Sequence, residues 1–242
     1  QRWGEVLRGT TLPWVVHVGA NCLADACTLA RQAEQLGATA IAALAPSYFK
    51  PRSVEALVMC CKQVTDAAPQ TPFYFYDIPG MTGVHLPMDA FLEQSKDVLP
   101  TLVGVKYSNS DLMMFQRCLH QFNQRFSMLW GIDEYLLAAV ALGAEGAVGS
   151  SYNFAAPISH RMLAAYARGD AAGAQAEQYR SVEVIHTLAH FGYIAASKAV
   201  MDWLGVPVGP PRLPHLDLTA QERWHLRDRL ERLGFFEWIA HP

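Results

Sequence analysis

The stretch Leu102-Val103-Gly104-Val105-Lys106-Tyr107-Ser108 is an apolar run that carries one amine. A run of this composition is typical of a strand buried on both faces, where an unpaired ammonium costs several kcal/mol. Loss of water favours the neutral amine, which is the form that attacks carbonyl carbons. A second run, Phe73-Tyr74-Phe75-Tyr76-Asp77-Ile78-Pro79, carries Tyr76 shortly before a turn. A lysine and a tyrosine at neighbouring strand ends predict Schiff-base chemistry.

Outward from these two runs, apolar and β-branched segments recur along the first two-thirds of the chain, most of them followed by a helical pattern. Strands that are apolar throughout and separated by helices indicate a parallel sheet with helices outside. Their spacing shortens from 33 to 19 residues between residues 40 and 146, near the roughly 30 residues per unit of a (β/α)8 TIM barrel. No Gly-x-Gly-x-x-Gly follows any of them, which disfavours a doubly wound sheet. The predicted strands are Trp14–Val18, Ala40–Ala45, Phe73–Tyr76, Leu102–Val105, Ser127–Trp130 and Gly146–Gly149.

Helix signals fill the intervals between the strands and the whole C-terminal third. One helix runs from Asp25 to Leu36, and Ser53 is a plausible N-cap of the next. Others begin near Pro87, Ser110 and Glu134. Beyond Tyr152 the predicted helices are Ile158–Arg168, Ala171–Ala189, Ile194–Leu204 and Thr219–Leu233. We therefore predict one barrel domain over residues 1–242, with residues 155–242 as a helical extension packed on it.

Only six strands can be counted, whereas a barrel of this kind needs eight. The chain opens at Gln1 in what looks like the end of a helix. We expect the first two strand–helix units to be cut, skipped or replaced, which leaves two open sheet edges.

Composition and charge exclude several classes of protein. Of the 242 residues, 51% are hydrophobic and 17% are charged, as in globular chains. The formal charge is −3 without a basic run, so we expect no nucleic-acid partner. No apolar stretch approaches the roughly 20 residues of a membrane span. Arg2, Glu5 and Arg8 interrupt the region where a signal peptide would need an apolar core.

The cysteines predict a reduced, cytoplasmic protein. They are odd in number and lack the spacing of zinc ligands, so we expect buried structural thiols and no metal site. They are Cys22, Cys27, Cys60, Cys61 and Cys118.

Polar residues follow most of the predicted strands, at the end of an α/β barrel where active sites lie. An amine, phenols, two carboxylates and hydroxyls suit a polyhydroxylated carbonyl compound. They belong to Tyr48, Tyr76, Lys106, Ser108, the segment Gly131-Ile132-Asp133-Glu134 and the segment Gly149-Ser150-Ser151-Tyr152-Asn153. Each has a plainer reading: a strand lysine can be salt-bridged, a strand tyrosine can be core, and carboxylates favour the first turn of a helix. His17 on the first strand is expected to be a core residue.

Four motifs, in order, resemble the N-acetylneuraminate lyases, a group within the dihydrodipicolinate synthase superfamily of class I aldolases. The similarity extends from about Val15 to Pro214. The motifs are Tyr76-Asp77-Ile78-Pro79-Gly80-Met81-Thr82-Gly83, Gly104-Val105-Lys106-Tyr107-Ser108, Gly131-Ile132-Asp133-Glu134 and Gly143-Ala144-Glu145-Gly146-Ala147-Val148-Gly149-Ser150-Ser151-Tyr152-Asn153.

The resemblance implies a role for each matching residue. Lys106 matches the lysine that forms a Schiff base with the keto group, and Tyr76 the tyrosine that relays a proton during carbon–carbon cleavage. Tyr48 matches an aromatic residue lent to a neighbouring subunit's site in a homotetramer. No cofactor is implied beyond the covalent Schiff base. The positions that hold the sugar-derived part of the substrate are Ser108, Gly131, Asp133, Glu134 and Ser150.

One position discriminates within the superfamily. Dihydrodipicolinate synthases carry an arginine five residues after the tyrosine, and here that residue is Met81, which cannot clamp a carboxylate. Asp133 and Glu134 also suit a polyol. Sialic acid is therefore favoured, in its N-acetyl or N-glycolyl form, and a 2-keto-3-deoxy sugar acid remains an alternative substrate.

The family's loop for the pyruvate carboxylate, Gly-Thr/Ser-Thr-Gly-Glu, is expected before Val15. Residues 1–14 do not contain it, because Gly9-Thr10-Thr11-Leu12 lacks the closing Gly-Glu. Two hypotheses follow: a sialic acid lyase, or a catalytically inactive fragment that acts only in binding or assembly.

Overall fold

A single sheet of six parallel strands organises the first part of the chain in this computed structural model, which describes residues 1–122 and 124–240. The strands follow one another in sequence order, each hydrogen-bonded to the next. All six predicted strands are present, with ends shifted by up to two residues, and their order is that of a partial (β/α)8 barrel. They are β1 (Val15–His17), β2 (Ala40–Leu44), β3 (Phe73–Asp77), β4 (Leu102–Tyr107), β5 (Ser127–Trp130) and β6 (Gly146–Ala147).

The register of the sheet aligns the strand ends. Tyr76 on β3 lies opposite Lys106 on β4, and Lys106 lies opposite Leu129 on β5. Within the described residues β1 and β6 pair on one side only, so they are the sheet edges. Val15 on β1 is 56% exposed, as expected for an edge strand.

Six helices accompany β1 to β4 and the segment that leads to β5. Ser53 accepts a hydrogen bond from the Ala56 amide at 3.1 Å, which confirms its predicted role as an N-cap. Pro87 precedes the helix predicted to begin there. The short helix at Pro79 was not predicted. The helices are α1 (Arg2–Val6), α2 (Leu23–Gln35), α3 (Val54–Asp66), α4 (Pro79–Thr82), α5 (Met88–Ser95) and α6 (Leu112–Phe122).

One face of the sheet packs against these helices through aromatic side chains. The Phe75 ring lies 4.6 Å from that of Phe91 on α5, centroid to centroid. Phe115 on α6 contacts both Tyr107 and Trp130, at 5.3 and 4.9 Å between ring centroids. Full burial of such a side chain contributes roughly 1.5–3 kcal/mol. This packing fixes β3 and β4, which carry Tyr76 and Lys106, together with β5, which precedes Gly131.

The remainder of the chain is helical, as predicted. Helix α8 starts at Tyr152, six residues earlier than predicted, because a non-helical residue, Ala155, precedes Pro157 and masks the pattern in the sequence. Thr219 and Glu222 form a capping box at the start of α11. The elements are a 3-10 helix (Asp133–Tyr135), α7 (Leu136–Ala141), α8 (Tyr152–Ala167), α9 (Ala171–His190), α10 (Tyr193–Trp203), α11 (Ala220–Leu233) and α12 (Phe235–Ala240).

The chain divides into two compact units. One comprises Gln1–Ile132 and Leu142–Ala147, and the other Asp133–Ala141 and Val148–Pro242. The second, helical unit has its own core, which includes Phe154, Leu188, Leu226 and Phe235. The division predicted at residue 155 stays a prediction. Among the described residues, none of the helices is long and apolar enough to cross a membrane.

The cysteines are all free thiols. Cys61 and Cys118 are buried, and burial raises the pKa of both, that of Cys118 to about 12. Cys27 and Cys60 are half-buried and Cys22 is exposed, so the prediction of buried thiols is wrong at Cys22 and only partly met at the other two. Cys22 lies just before α2, where its side chain faces solvent.

Candidate active site

Lys106 and Tyr76 lie side by side on adjacent strands, and both side chains are half-buried. Their Cα atoms are register partners on β4 and β3, and the Lys106 Nζ lies 3.9 Å from the centroid of the Tyr76 ring. An ammonium in that position is attracted by the ring's quadrupole. Val103 and Lys106 are half-buried rather than buried, so the expectation of a strand buried on both faces is wrong. The amine and the phenol therefore share a surface that a ligand can reach.

His17 completes a cluster around the tyrosine. Its ring meets that of Tyr76 edge-on, with the centroids 6.0 Å apart. The prediction of a core histidine is wrong, because β1 is an edge strand and His17 is exposed at its end. Partial desolvation of the imidazole by neighbouring protein atoms lowers the pKa of His17, and the positive charge of Lys106 lowers it further. At neutral pH a neutral imidazole therefore faces the same tyrosine as the amine.

Ser108 and Gly131, two of the predicted sugar-binding positions, meet where β4 and β5 end. The Ser108 Oγ donates a hydrogen bond to the Gly131 carbonyl at 3.0 Å, and the Gly131 amide donates to the Tyr107 carbonyl at 2.8 Å. A β-carbon at position 131 would overlap the Ser108 Oγ. The glycine is therefore required for the close approach of the two strand ends.

Asp133 is buried in the helical unit and already has partners. Its Oδ2 accepts hydrogen bonds from the Ser151 amide at 3.0 Å and from the Ser151 Oγ at 2.5 Å. A β-carbon at Gly149 would overlap the carboxylate, so this approach also needs a glycine. Glu134 is the next residue of the same 3-10 helix, and Gln178 donates to the main-chain carbonyls of both acidic residues at 3.2 and 3.0 Å. The two acidic residues are thus held by α8 and α9.

Ser150 is exposed, and its Oγ lies 2.9 Å from the Tyr193 hydroxyl. Tyr152, two residues later, is half-buried. Burial, followed by the charges of Asp133 and Glu134, raises the pKa of Tyr152. The helical unit therefore gathers two carboxylates, two serines and two protonated phenols.

Tyr48 lies on the loop after β2 and belongs neither to the residues around Lys106 nor to those around Asp133. It is 77% exposed and packs edge-on against Phe49, which is 85% exposed. Asn21 shapes the loop, because its Oδ1 accepts hydrogen bonds from the amides of Ser47 and Tyr48. Met81 on α4 is also exposed. These side chains are presented to solvent rather than to the residues around Lys106.

Residues 6–233 match the model of the Dihydrodipicolinate synthetase family. The chain belongs to this family. It is 39% identical over 227 residues to the N-acetylneuraminate lyase of Rattus norvegicus, covering 93% of this chain and 71% of that protein. It is 41% identical over 222 residues to the enzyme of that name from Gallus gallus, covering 90% and 72%.

Solved structures of the Dihydrodipicolinate synthetase family share the fold. The chain matches Proteus mirabilis N-acetylneuraminate lyase with a TM-score of 0.92 at 35% identity, over 97% of this chain and 79% of that one. It matches the N-acetylneuraminate lyase of Aliivibrio salmonicida with a TM-score of 0.92 at 37% identity, over 97% and 77%. The resemblance and the barrel class inferred from the motifs are confirmed. Members of the family are class I aldolases, which are carbon–carbon lyases.

The family motif at Tyr76 also contains a carboxyl group that the sequence did not single out. Asp77 points to the helix-covered side, is 6% exposed, and accepts a hydrogen bond from the Asn109 Nδ2 at 3.2 Å. Its carbonyl accepts from the Ser108 amide at 2.8 Å. Burial raises the pKa of Asp77 to about 6, although the bond from Asn109 opposes the shift. Asp77 therefore links the ends of β3 and β4, and its ionisation lowers the stability of the folded protein because the charged carboxylate is buried.

We expect Asp77→Asn to stabilise the protein increasingly as the pH rises from 4.5 to 7.5. The folded-state pKa of about 6 exceeds the ordinary value of 3.8, so the wild type loses stability as the pH rises through 6. Two pKa units correspond to roughly 3 kcal/mol. Urea unfolding of both proteins at several pH values measures the difference. A difference that does not grow with pH would contradict the assignment, and Asp66→Asn, at an exposed aspartate, is the matched control.

Proposed function

We propose that this chain cleaves N-acetylneuraminate reversibly to N-acetylmannosamine and pyruvate, through a Schiff base at Lys106. The observation that carries the proposal is the placement of the Lys106 Nζ over the Tyr76 ring on adjacent strands. It occurs in a chain about 40% identical to several N-acetylneuraminate lyases. Met81, where an arginine would be needed to clamp a second carboxylate, favours the sugar substrate over an amino acid semialdehyde.

The first step uses the neutral amine of Lys106 as a nucleophile. Its lone pair attacks the keto carbon of the substrate, and the resulting carbinolamine takes up a proton and loses water to give an iminium. The positive nitrogen then serves as the electron sink for bond cleavage. No separate cofactor is needed for this chemistry, because the iminium itself accepts the electron pair.

Cleavage of the bond between the third and fourth carbons requires removal of a proton from the hydroxyl on the fourth carbon. We assign that proton to Tyr76, directly or through the substrate carboxylate. The electron pair of the broken bond forms an enamine on Lys106, and the aldehyde sugar leaves. Protonation of the enamine at the third carbon and addition of water to the iminium release pyruvate and restore the amine.

The remaining roles follow the family resemblance. Ser108, Gly131, Asp133, Glu134 and Ser150 hold the hydroxyl groups of the sugar-derived part. Such polar matching discriminates strongly, because a substrate that lacks a hydroxyl leaves a polar group of the protein unpaired.

We also propose a homotetramer in the cytoplasm. Tyr48 would then contribute to the site of a neighbouring subunit, and its exposure together with that of Phe49 supports this role. Five free cysteines support a reducing compartment. Light scattering of the purified chain measures the assembly state.

Pyruvate release by the purified chain tests the proposed reaction. We expect kcat/KM for N-acetylneuraminate to exceed that for 2-keto-3-deoxygluconate, and parallel assays with the N-glycolyl form rank the two sialic acids. Preference for the deoxy sugar acid would instead make the chain a 2-keto-3-deoxy sugar acid aldolase. Turnover of neither substrate by a folded sample would favour the inactive fragment that acts only in assembly.

A further inference from the structure

Tyr193 contacts Ser150, a predicted substrate-binding residue, although Tyr193 belongs to none of the sequence motifs. Its hydroxyl lies 2.9 Å from the Ser150 Oγ. The two residues are 43 positions apart in sequence, so the sequence alone could not bring them together. Ser150 is exposed and Tyr193 is half-buried.

The tyrosine is held rigidly. It is the first residue of α10, directly after Gly192, whose φ of 85° turns the chain into the helix. Its carbonyl accepts a hydrogen bond from the Ser197 Oγ at 2.6 Å, and its ring packs against the core of the helical unit. The phenol is therefore held in one position, whereas the Ser150 hydroxyl lies on an exposed residue and can rotate.

The two neighbouring serines have different partners. Ser151 donates from both its amide and its Oγ to Asp133, which fixes that carboxylate. Ser150 has the Tyr193 phenol instead. Burial raises the pKa of Tyr193; hydrogen bonds with Ser150 and Ser197 oppose the shift, the charges of Asp133 and Glu134 add to it, and the net shift is upward. The phenol keeps its proton at neutral pH and is available as a donor to the Ser150 Oγ.

We propose that Tyr193 is a positioning residue that acts through Ser150. By donating to the Ser150 Oγ it directs the serine's own proton away from the protein and towards an acceptor oxygen of the sugar-derived part of the substrate. The inference rests on the proposed function, and it adds a residue that sets affinity for a polyhydroxylated ligand rather than one that performs the chemistry.

A double-mutant cycle tests the inference. Tyr193→Phe keeps the ring and its packing and removes the donor. We expect it to raise KM for N-acetylneuraminate roughly two- to tenfold, as for loss of one hydrogen bond, with kcat changed less than about twofold. In a Ser150→Ala background the same change should have no further effect, because the Ser150 hydroxyl through which Tyr193 acts is absent. Tyr166→Phe, at an exposed tyrosine of α8, is the matched control and should leave both constants unchanged.

The affinity of the same variants for N-acetylmannosamine, measured by calorimetry, gives a readout that does not depend on turnover. An equal loss from Tyr193→Phe in both backgrounds would show an effect that bypasses Ser150 and would overturn the inference. So would an unchanged KM in an active enzyme. If the wild type binds N-acetylmannosamine but does not cleave the sialic acid, the proposed function fails while the binding cycle still decides the role of Tyr193. A wild type that neither binds nor cleaves overturns both.

Discussion

We expect Lys106→Ala to abolish pyruvate release from N-acetylneuraminate, down to the limit of detection. The substitution removes the nitrogen that forms the iminium, and no other residue of β4 carries an amine. Without the iminium the electron pair of the breaking bond has no acceptor, so every later step is lost with it. The effect on turnover is the largest that any single substitution in this chain is expected to produce.

Trapping with borohydride shows whether the lost step is the covalent one. Wild type incubated with pyruvate and reduced should gain one pyruvate-derived group, which peptide mass spectrometry places on Lys106. The Ala variant should gain none. Lys62→Ala is the matched control, because Lys62 is also half-buried but pairs with Asp66 on α3 at 2.7 Å. A full adduct on the Lys106→Ala protein would assign the nucleophile to another lysine.

The strands and the adjacent positions of Lys106 and Tyr76 could be predicted from sequence because their signals are local. The apolar runs around Tyr76 and Lys106 specify the parallel strands, and the register then places the two residues opposite one another. The exposure of Lys106 could not be predicted in the same way. Apolar composition does not distinguish a face covered by helices from one that stays accessible.

The other features that the sequence did not reveal also depend on contacts between distant positions. His17 looked like a core residue because its own strand is apolar, but the position of β1 at the sheet edge determines its exposure. Tyr193 lies in a helical segment with no motif, and only the fold brings it to Ser150. The ionisation cost at Asp77 likewise depends on the packing around it rather than on its neighbours in sequence.

Tyr76→Phe should lower kcat by roughly 10²–10⁴-fold, the usual contribution of a positioned general acid–base group. The phenylalanine keeps the aromatic ring beneath the Lys106 Nζ, so the amine stays in place and only the proton-transferring hydroxyl is lost. Formation of the iminium with pyruvate does not require cleavage of a carbon–carbon bond. The variant should therefore still be trapped by borohydride on Lys106, while its turnover of N-acetylneuraminate collapses.

Tyr74→Phe separates this role from a general need for phenols on the sheet. Tyr74 lies two residues earlier on β3, is half-buried like Tyr76, and is in register with Gly104 rather than with the lysine. Its loss should change kcat by no more than about threefold, within the range of a surface substitution. Equal losses in the two variants would contradict a specific proton relay at Tyr76. Retained turnover in Tyr76→Phe, with the adduct intact, would assign the proton relay to another group. The neutral imidazole of His17 is a candidate, because its ring lies 6.0 Å from the Tyr76 ring between centroids.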